Sequence, residues 1–467
     1  MATGLARVTI SAPQRRLDVA LPEQVPLAEL LPEVLRHAGE GLADDGERHG
    51  GWLLRRCDGV VLATGQDLLA QGVRDGEVLY LVPARAHWPE LEYDDVVEAI
   101  ADGARRRGAA WSPAATRAAT LAAAAVPLLV GLVALLAGGP DHPADWLVAA
   151  VLAAGLAVAG TVASRAYGDG PAGATLGGYA LPYAFAAGAL LVSPGDPVTP
   201  FGPLNWLGAP ELLAGSVALL LVAVLGLLGV AARIRVFVAG ATVGAAGAVG
   251  ALLGLVLTPA GSAAILLSVL VFAVGALPLL AIRLGKVPLP PITLPANADT
   301  EARSGVRDLP DTDRVHAAVA RTEETLTGML LGHAVLAVAA AVVLTVTGGT
   351  AGRILVAVAA TVLLLRARLF VALRQRVPTV VAGLVGLGVL GVALVGRAGP
   401  VTLLVLVAAA GVLALLTVAA GSTYARRPVS PYLGRAADLT DTLLVVAVVP
   451  VACAVLDLYD RARGLLG

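Results

Sequence analysis

Charge is what this sequence is shortest of. Charged side chains make up 14% of its 467 residues, against about 25% in an ordinary soluble domain. Aromatic residues are scarce at 4%, so Ala, Val, Leu and Gly carry an apolar content that reaches 57%, with a mean hydropathy of +0.82. Most of the chain therefore belongs in a bilayer. Lysine is almost missing, Lys286 being the only one, and the use of Arg in its place reads as a GC-rich genome. The two cysteines, Cys57 in a polar region and Cys453 deep in the last apolar run, support neither a disulfide framework nor a metal site. A net charge of -1, with no basic patch unmatched by acids, gives no reason to expect nucleic acid as a partner. The first twenty residues lack the apolar core of about 7 to 15 residues that a secretory signal needs. The N-terminus is accordingly expected to stay in the cytoplasm.

What is present divides into three segments. Residues 1–83 are charged, turn-rich and free of long apolar runs. Val8 and Ile10 alternate with polar neighbours, as do Leu17, Val19 and Leu21 beyond the turn-forming APQRR, the period-two pattern of a half-buried hairpin. Pro26 suits the first turn of a helix, Leu27, Leu30, Leu31, Val34 and Leu35 share a face, and Gly39 ends it. Pro32 interrupts that helix, because an interior proline loses a hydrogen bond at a cost of about 3 kcal/mol; a kink or two short helices is expected. GWLLRRCDGVVLATG then predicts strand, Asp58-Gly59 turn and strand, and GVRDGEVLYLVP predicts a turn at Asp75-Gly76 and a closing strand. Hairpin, helix and returning strands make a cytosolic β-grasp domain, and their order with the ending GVRDGEVLYLVP resembles the ubiquitin-like fold. The chain runs on past this domain instead of stopping at a diglycine tail, which argues against a conjugated tag and for a docking module, the alternative being a small domain that only stabilises the N-terminus.

Residues 84–119 form the second segment, a linker. There Val96, Val97, Ile100 and Ala104 share a helical face, Arg105, Arg106 and Arg107 make a basic cluster, and Trp111 suits a headgroup anchor. An amphipathic helix settling on membrane lipid is one reading; a solvated coil is the other.

Residues 120–467 form the third, a transmembrane domain. Stretches near the 20 or so apolar residues that a spanning helix needs run through 121–137, 146–163, 174–192, 212–231, 236–257, 262–282, 327–346, 354–373, 379–395, 401–420 and 440–456. The fold class is thus a polytopic α-helical membrane protein of about eleven spans. Alternate loops hold Arg165, then Arg233 and Arg235, then Arg283 and Lys286 within the long loop 283–326, then Arg374 and Arg376, then Arg426, Arg427 and Arg435. The intervening loops hold little beyond Arg397, with Arg353 at a helix end. By the bias of Lys and Arg to the cytoplasmic side, the N-terminus is inside and the C-terminus outside. In the long loop a surface helix is expected from Asp311, with Val315, Ala318, Val319 and Thr322 on one face.

Four arginines crowd LLLRARLFVALRQRVPTVVAG, residues 363–383. At a helix centre each costs about 2.5 to 3.5 kcal/mol, more in sum than an Ala-rich span offsets. The cluster must mark a membrane face, with Arg374 and Arg376 in a turn before Pro378 and Arg366 and Arg368 reaching towards lipid phosphates; pairing with acids of a partner subunit is the other use open to them. No Asp or Glu lies near the middle of a span, and His333 is the clearest central polar group, read first as hydrogen-bonded packing. Asp438 and Asp441 stand at the start of the last span, where helix N-termini favour acids. Neither His-Glu-x-x-His nor a phosphate loop occurs. No catalytic, cofactor-binding or metal-ligating residue is therefore assigned, and no enzyme activity or cofactor is expected. Glycines at spacings of three and four, Gly240, Gly244, Gly247, Gly250 and Gly254, then Gly383 and Gly386, suggest close helix packing.

The order of these parts resembles the EccD family of actinobacterial type VII (ESX) secretion systems. The resemblance is carried by DVALPEQVPLAELLPEVL, DLLAQGVRDGEVLYLVP, YDDVVEAIADGARRRGAAWSP, KVPLPPITLP and RARLFVALRQRVP. It implies a non-enzymatic scaffold in the bacterial plasma membrane, whose ubiquitin-like domain meets the cytosolic part of an EccC-like ATPase. EccB-like and EccE-like membrane subunits and a second copy of the chain are the other implied partners. The rival class is a secondary transporter of a small solute with a cytosolic regulatory domain.

Overall fold

Burial alternates along Leu5–Ser11 (β1), with Ala6, Val8 and Ile10 inward and Leu5 and Arg7 outward, as the period-two pattern requires. The computed structural model describes residues 4–13, 15–39, 42, 46, 50–84, 111–192, 200, 202–286, 312–424, 426 and 430–466, in two units, 1–111 and 112–467. In the first unit β1 pairs antiparallel with β2 (Arg16–Pro22), Val8 opposite Val19. A helix, α1 (Leu27–Ala38), follows, and then β3 (Trp52–Arg56) and β4 (Val78–Pro83) pair antiparallel. β4 lies parallel to β1, so the order is β2-β1-β4-β3. Leu27, Val34 and Ala38 of α1 join Ile10, Leu54 and Leu79 in one core. This is the expected β-grasp.

Two local expectations are corrected. α1 runs through Pro32 as one helix rather than two. Pro32 and Ala28 both lie on the exposed face, so the carbonyl that the missing N–H would have met is left to water, where its loss costs least. After the Asp58-Gly59 turn there is a single bridge, Arg55 to Val61, instead of a full strand; Arg56 and Leu54 take up the hydrogen bonds with Val60 and Leu62. The expected amphipathic linker helix and its three arginines lie outside the described residues.

The second unit holds α2 (Pro113–Gly138), α3 (Asp145–Arg165), α4 (Gly170–Leu191), α5 (Ala209–Gly229) and α6 (Arg235–Gly254), then α7 (Pro259–Ala273) and α8 (Leu277–Gly285). After these come α9 (Thr312–Thr347), α10 (Gly349–Arg366), α11 (Leu373–Val395), α12 (Pro400–Tyr424), α13 (Pro431–Val455) and the short α14 (Leu458–Leu466). Among the described residues ten helices are long and apolar enough to cross a membrane, eleven when the bent pair α7–α8 counts as one crossing. Each expected span falls on one of them.

The surface helix expected from Asp311 is a correction: it is the first part of α9, which continues unbroken for 36 residues. At 1.5 Å per residue such a helix is about 54 Å long, while the hydrocarbon layer is about 30 Å thick. Its charged first third, through Glu324, must therefore project beyond the lipid core.

Close backbone approach holds the bundle together. A Cβ built on Gly188 of α4 would lie 2.4 Å from the carbonyl oxygen of Ala214 on α5, and one on Gly215 would lie 2.8 Å from that of Phe185, so the crossing is glycine on both sides. Gly328 and Gly332 of α9 bring that helix against the Arg235 and Ala239 carbonyls of α6 in the same way, at 2.6 Å each. Without a hydrophobic drive between helices in lipid, such van der Waals contact is the main source of association. Gly244 and Gly383 pack as the sequence suggests, whereas Gly388 and Gly391 face open space.

Candidate functional site: the helix break and its charged clamp

The crossing formed by α7 and α8 is broken, with a bend of 68° between Ala273 and Leu277. Its cause is local. Gly275 sits in the break, and Pro278 in the first turn of α8 has no N–H to continue the ladder of α7. A helix end leaves its last four carbonyls without intrahelical partners, and in a bilayer no water replaces them. Side chains from two other helices do so here. His333 of α9 places Nε2 2.7 Å from the Leu270 oxygen, and Arg366 of α10 donates from Nη1 to the Val271 oxygen at 2.7 Å. The Ala273 oxygen accepts from the Ala276 amide within the turn.

Arg366 brings a charge with it, and the chain neutralises that charge. Its Nε lies 3.3 and 3.4 Å from the two carboxylate oxygens of Asp441 on α13. Asp438, three residues earlier and on the same helical face, accepts from Arg368 in the short turn Ala367–Leu369 that follows α10. The two arginines therefore clamp α13 to the end of α10, and Arg366 adds the break in α7 as a third point. This corrects two sequence expectations. Arg366 and Arg368 meet acids of their own chain rather than lipid phosphates, and Asp438 and Asp441 lie well inside α13 instead of at its N-terminus. Arg374 and Arg376 stay exposed in the first turn of α11, and the turn itself falls at 370–372, ahead of them.

His333 is 2% exposed. Only its Nε2–H form can donate to a carbonyl, which leaves Nδ1 carrying a lone pair with no partner among the described residues. A bare lone pair is a smaller defect than a bare N–H. The histidine thus serves the helix break, as its packing reading held. Elsewhere Arg165 caps α5 by donating to the Gly229 and Leu228 oxygens at 2.8 and 3.0 Å, and Arg235 pairs with Glu324 at 3.0 Å, tying the start of α6 to α9.

A cleft of about 580 Å³ opens where the start of α7, the α9–α10 turn and Asp457 after α13 meet. Among the described residues no three His, Cys, Asp or Glu side chains are grouped to hold a metal ion. At the break the polar groups are matched to one another apart from the His333 Nδ1, and Arg353 Nε of α10 is also buried without a partner among the described residues; the matched groups suit holding a bent architecture in lipid. Sequence reading missed the break, although Gly275 and Pro278 three residues apart in an apolar run were a signal for it. It missed the Arg366–Asp441 pair because 75 residues separate the partners.

Comparison with known proteins bears on both units. The family model of the EccD-like transmembrane domain matches residues 116–465, and that of the WXG100 secretion system protein YukD matches residues 5–81. A relative named ESX-4 secretion system protein eccD4, from two strains of Mycobacterium tuberculosis, is 31% identical over 346 residues, covering 73% of this chain and 70% of its own. Two solved structures share the fold. A chain from protomer 1 of the ESX-3 core complex aligns with a TM-score of 0.60 at 22% identity, over 98% of this chain and all of that one. A chain from the MycP5-free ESX-5 inner membrane complex aligns at 0.54 and 20% identity, over 91% of this chain and all of that one.

Proposed function

The chain belongs to the EccD family and is a scaffold subunit of a type VII (ESX) secretion system, and from that premise we propose that its ubiquitin-like domain docks the cytosolic part of the secretion ATPase while the chain performs no chemistry of its own. The observation that carries this reading is the joining, in one polypeptide, of a YukD-like domain at residues 5–81 and an EccD-like membrane domain at 116–465. A domain with its own core is suited to gathering a soluble partner.

The other partners are an EccB-like and an EccE-like membrane subunit and a second copy of the chain, in the bacterial plasma membrane, with the N-terminus cytoplasmic and the C-terminus outside. Supporting them, α12 is a 25-residue apolar helix with no fully buried residue, and all of it but the half-buried Leu403 and Leu406 is exposed for lipid or another subunit. α2 also buries none, although Tyr179 and Tyr183 donate to its Leu121 and Leu128 carbonyls.

A broken membrane helix is also a hallmark of transporter binding sites, which is the one observation favouring the rival reading. In such sites the freed carbonyls face the substrate or ion. Here His333 and Arg366 occupy those of Leu270 and Val271, so the break is closed by protein.

Deleting residues 1–82 tests the docking role. The truncated chain is expected to insert in the membrane as before but to lose most of the ATPase that co-purifies with the full chain in mild detergent. Undiminished ATPase recovery from the truncation contradicts the docking role, and a lone monomer that accumulates a solute in liposomes favours the transporter.

A further inference from the structure

One face of the β-sheet is covered by α1 and the core. The other carries the residues that alternate with the core on the same strands. Strand register fixes their neighbours there: Arg16 stands opposite Ser11, Ser11 beside Tyr80, and Tyr80 opposite Arg55, so one row crosses all four strands. Leu53 stands opposite Val82 in the adjoining row. At strand spacings of about 4.8 Å the two arginines of the first row are set about 14 Å apart, with an aromatic ring between them. The side chains of Arg16, Arg55 and Tyr80 have no hydrogen bond or ion pair among the described residues. Asp18, the acid on this face, already accepts from the Thr9 hydroxyl at 2.6 Å, and Asp75 on the adjoining turn accepts from the Arg7 amide.

We propose that this free sheet face is the docking surface of the ubiquitin-like domain, and that its occupant is an acidic segment of the cytosolic protein partner. The inference rests on the docking reading above and adds the face and the chemistry to it. Carboxylates of the segment pair with Arg16 and Arg55, whose guanidinium groups match them in two-pronged geometry. An apolar side chain between those carboxylates packs on Tyr80, with Leu53 and Val82 beside it. Tyr and Arg are the residue types that most often dominate binding at such surfaces. The charge complementarity alone would also suit an anionic lipid surface. Leu53, Tyr80 and Val82 are half-buried on the sheet face and leave no wholly exposed apolar side chain in these two rows to reach below headgroups, which favours protein.

The test uses the full chain, purified with its ATPase in mild detergent. The double variant Arg16→Glu/Arg55→Glu is expected to lower ATPase recovery by about tenfold, the Arg55→Lys variant to retain much of it, and Arg36→Glu on the exposed side of α1 to match the parent. Recovery by the parent should fall as salt is raised. Protection of residues 4–84 from protease, equal to the parent's, establishes that the domain is folded; if the double variant is not protected, Arg16→Gln/Arg55→Gln replaces it and is expected to lower recovery in the same direction. Parent-like recovery by a folded face variant, alongside loss on deleting residues 1–82, overturns the face while leaving the docking role standing. Undiminished recovery on the deletion overturns both. A defect seen in anionic-lipid nanodiscs but not in detergent makes the face a lipid contact and overturns the protein partner.

Discussion

Replacing Arg366 with Ala is expected to destabilise the membrane unit by about 3 kcal/mol, the low end of the cost of leaving one member of a buried ion pair without the other, because this pair is part-buried. Two losses combine. Asp441 is left without its counter-charge, and the Val271 carbonyl at the end of α7 loses the donor that satisfied it, a defect of about 1–3 kcal/mol in its own right. Unfolding in mild detergent, followed as the monodisperse fraction surviving a temperature or denaturant series, measures the sum. Arg366→Lys should recover only part, because an ammonium is a point charge and does not reproduce the planar fork that serves Asp441 and Val271 together. Arg366→Met/Asp441→Leu should lie above the sum of its single changes, since removing both charges leaves neither stranded. Single changes within error of the parent, or a strictly additive double, would contradict the clamp.

Gly188→Leu should be nearly as severe. Overpacking costs about 1–3 kcal/mol where side chains can give way, but the first atom that a Cβ at Gly188 meets is a backbone oxygen, that of Ala214, at 2.4 Å. Helices α4 and α5 would have to separate, and Gly215, which faces the Phe185 oxygen from the other side, loses its close contact with them. Gly391→Leu supplies the control: nothing lies within 4 Å of a Cβ there, and lipid accepts the larger side chain. The same detergent assay should show a large loss for the first and a change of less than about 0.5 kcal/mol for the second. Equal behaviour of the two glycines would refute the close crossing.

How far the sequence could be read follows from the range of each interaction. The hairpin of β1 and β2 was legible because period-two alternation and a four-residue connection are local, and the eleven crossings because twenty apolar residues in a row have few other uses in water. Pro32 misled because its cost depends on whether the freed carbonyl meets water, which only the exposure of Ala28 decides. The continuity of α9 was hidden by a change from charged to apolar composition inside one helix. Arg366 was placed correctly near the end of a span, but its partners, Asp441 and the Val271 carbonyl, are set by tertiary packing and by a break in another helix. Glycine spacing had the same limit: Gly383 and Gly391 look alike in sequence, and only the neighbouring helix tells them apart.

Whether α7 and α8 cross the membrane together decides the topology of everything after them, and single-cysteine labelling decides it most directly. With Cys57 and Cys453 replaced, cysteines placed at Arg165, Lys286 and Arg426 should all react with an impermeant reagent only when the cytoplasmic face is opened, while one at Arg397 reacts in intact cells. Lys286 and Arg426 labelled from outside, with Arg165 protected, would make α7–α8 a re-entrant loop and contradict the eleven-span scaffold.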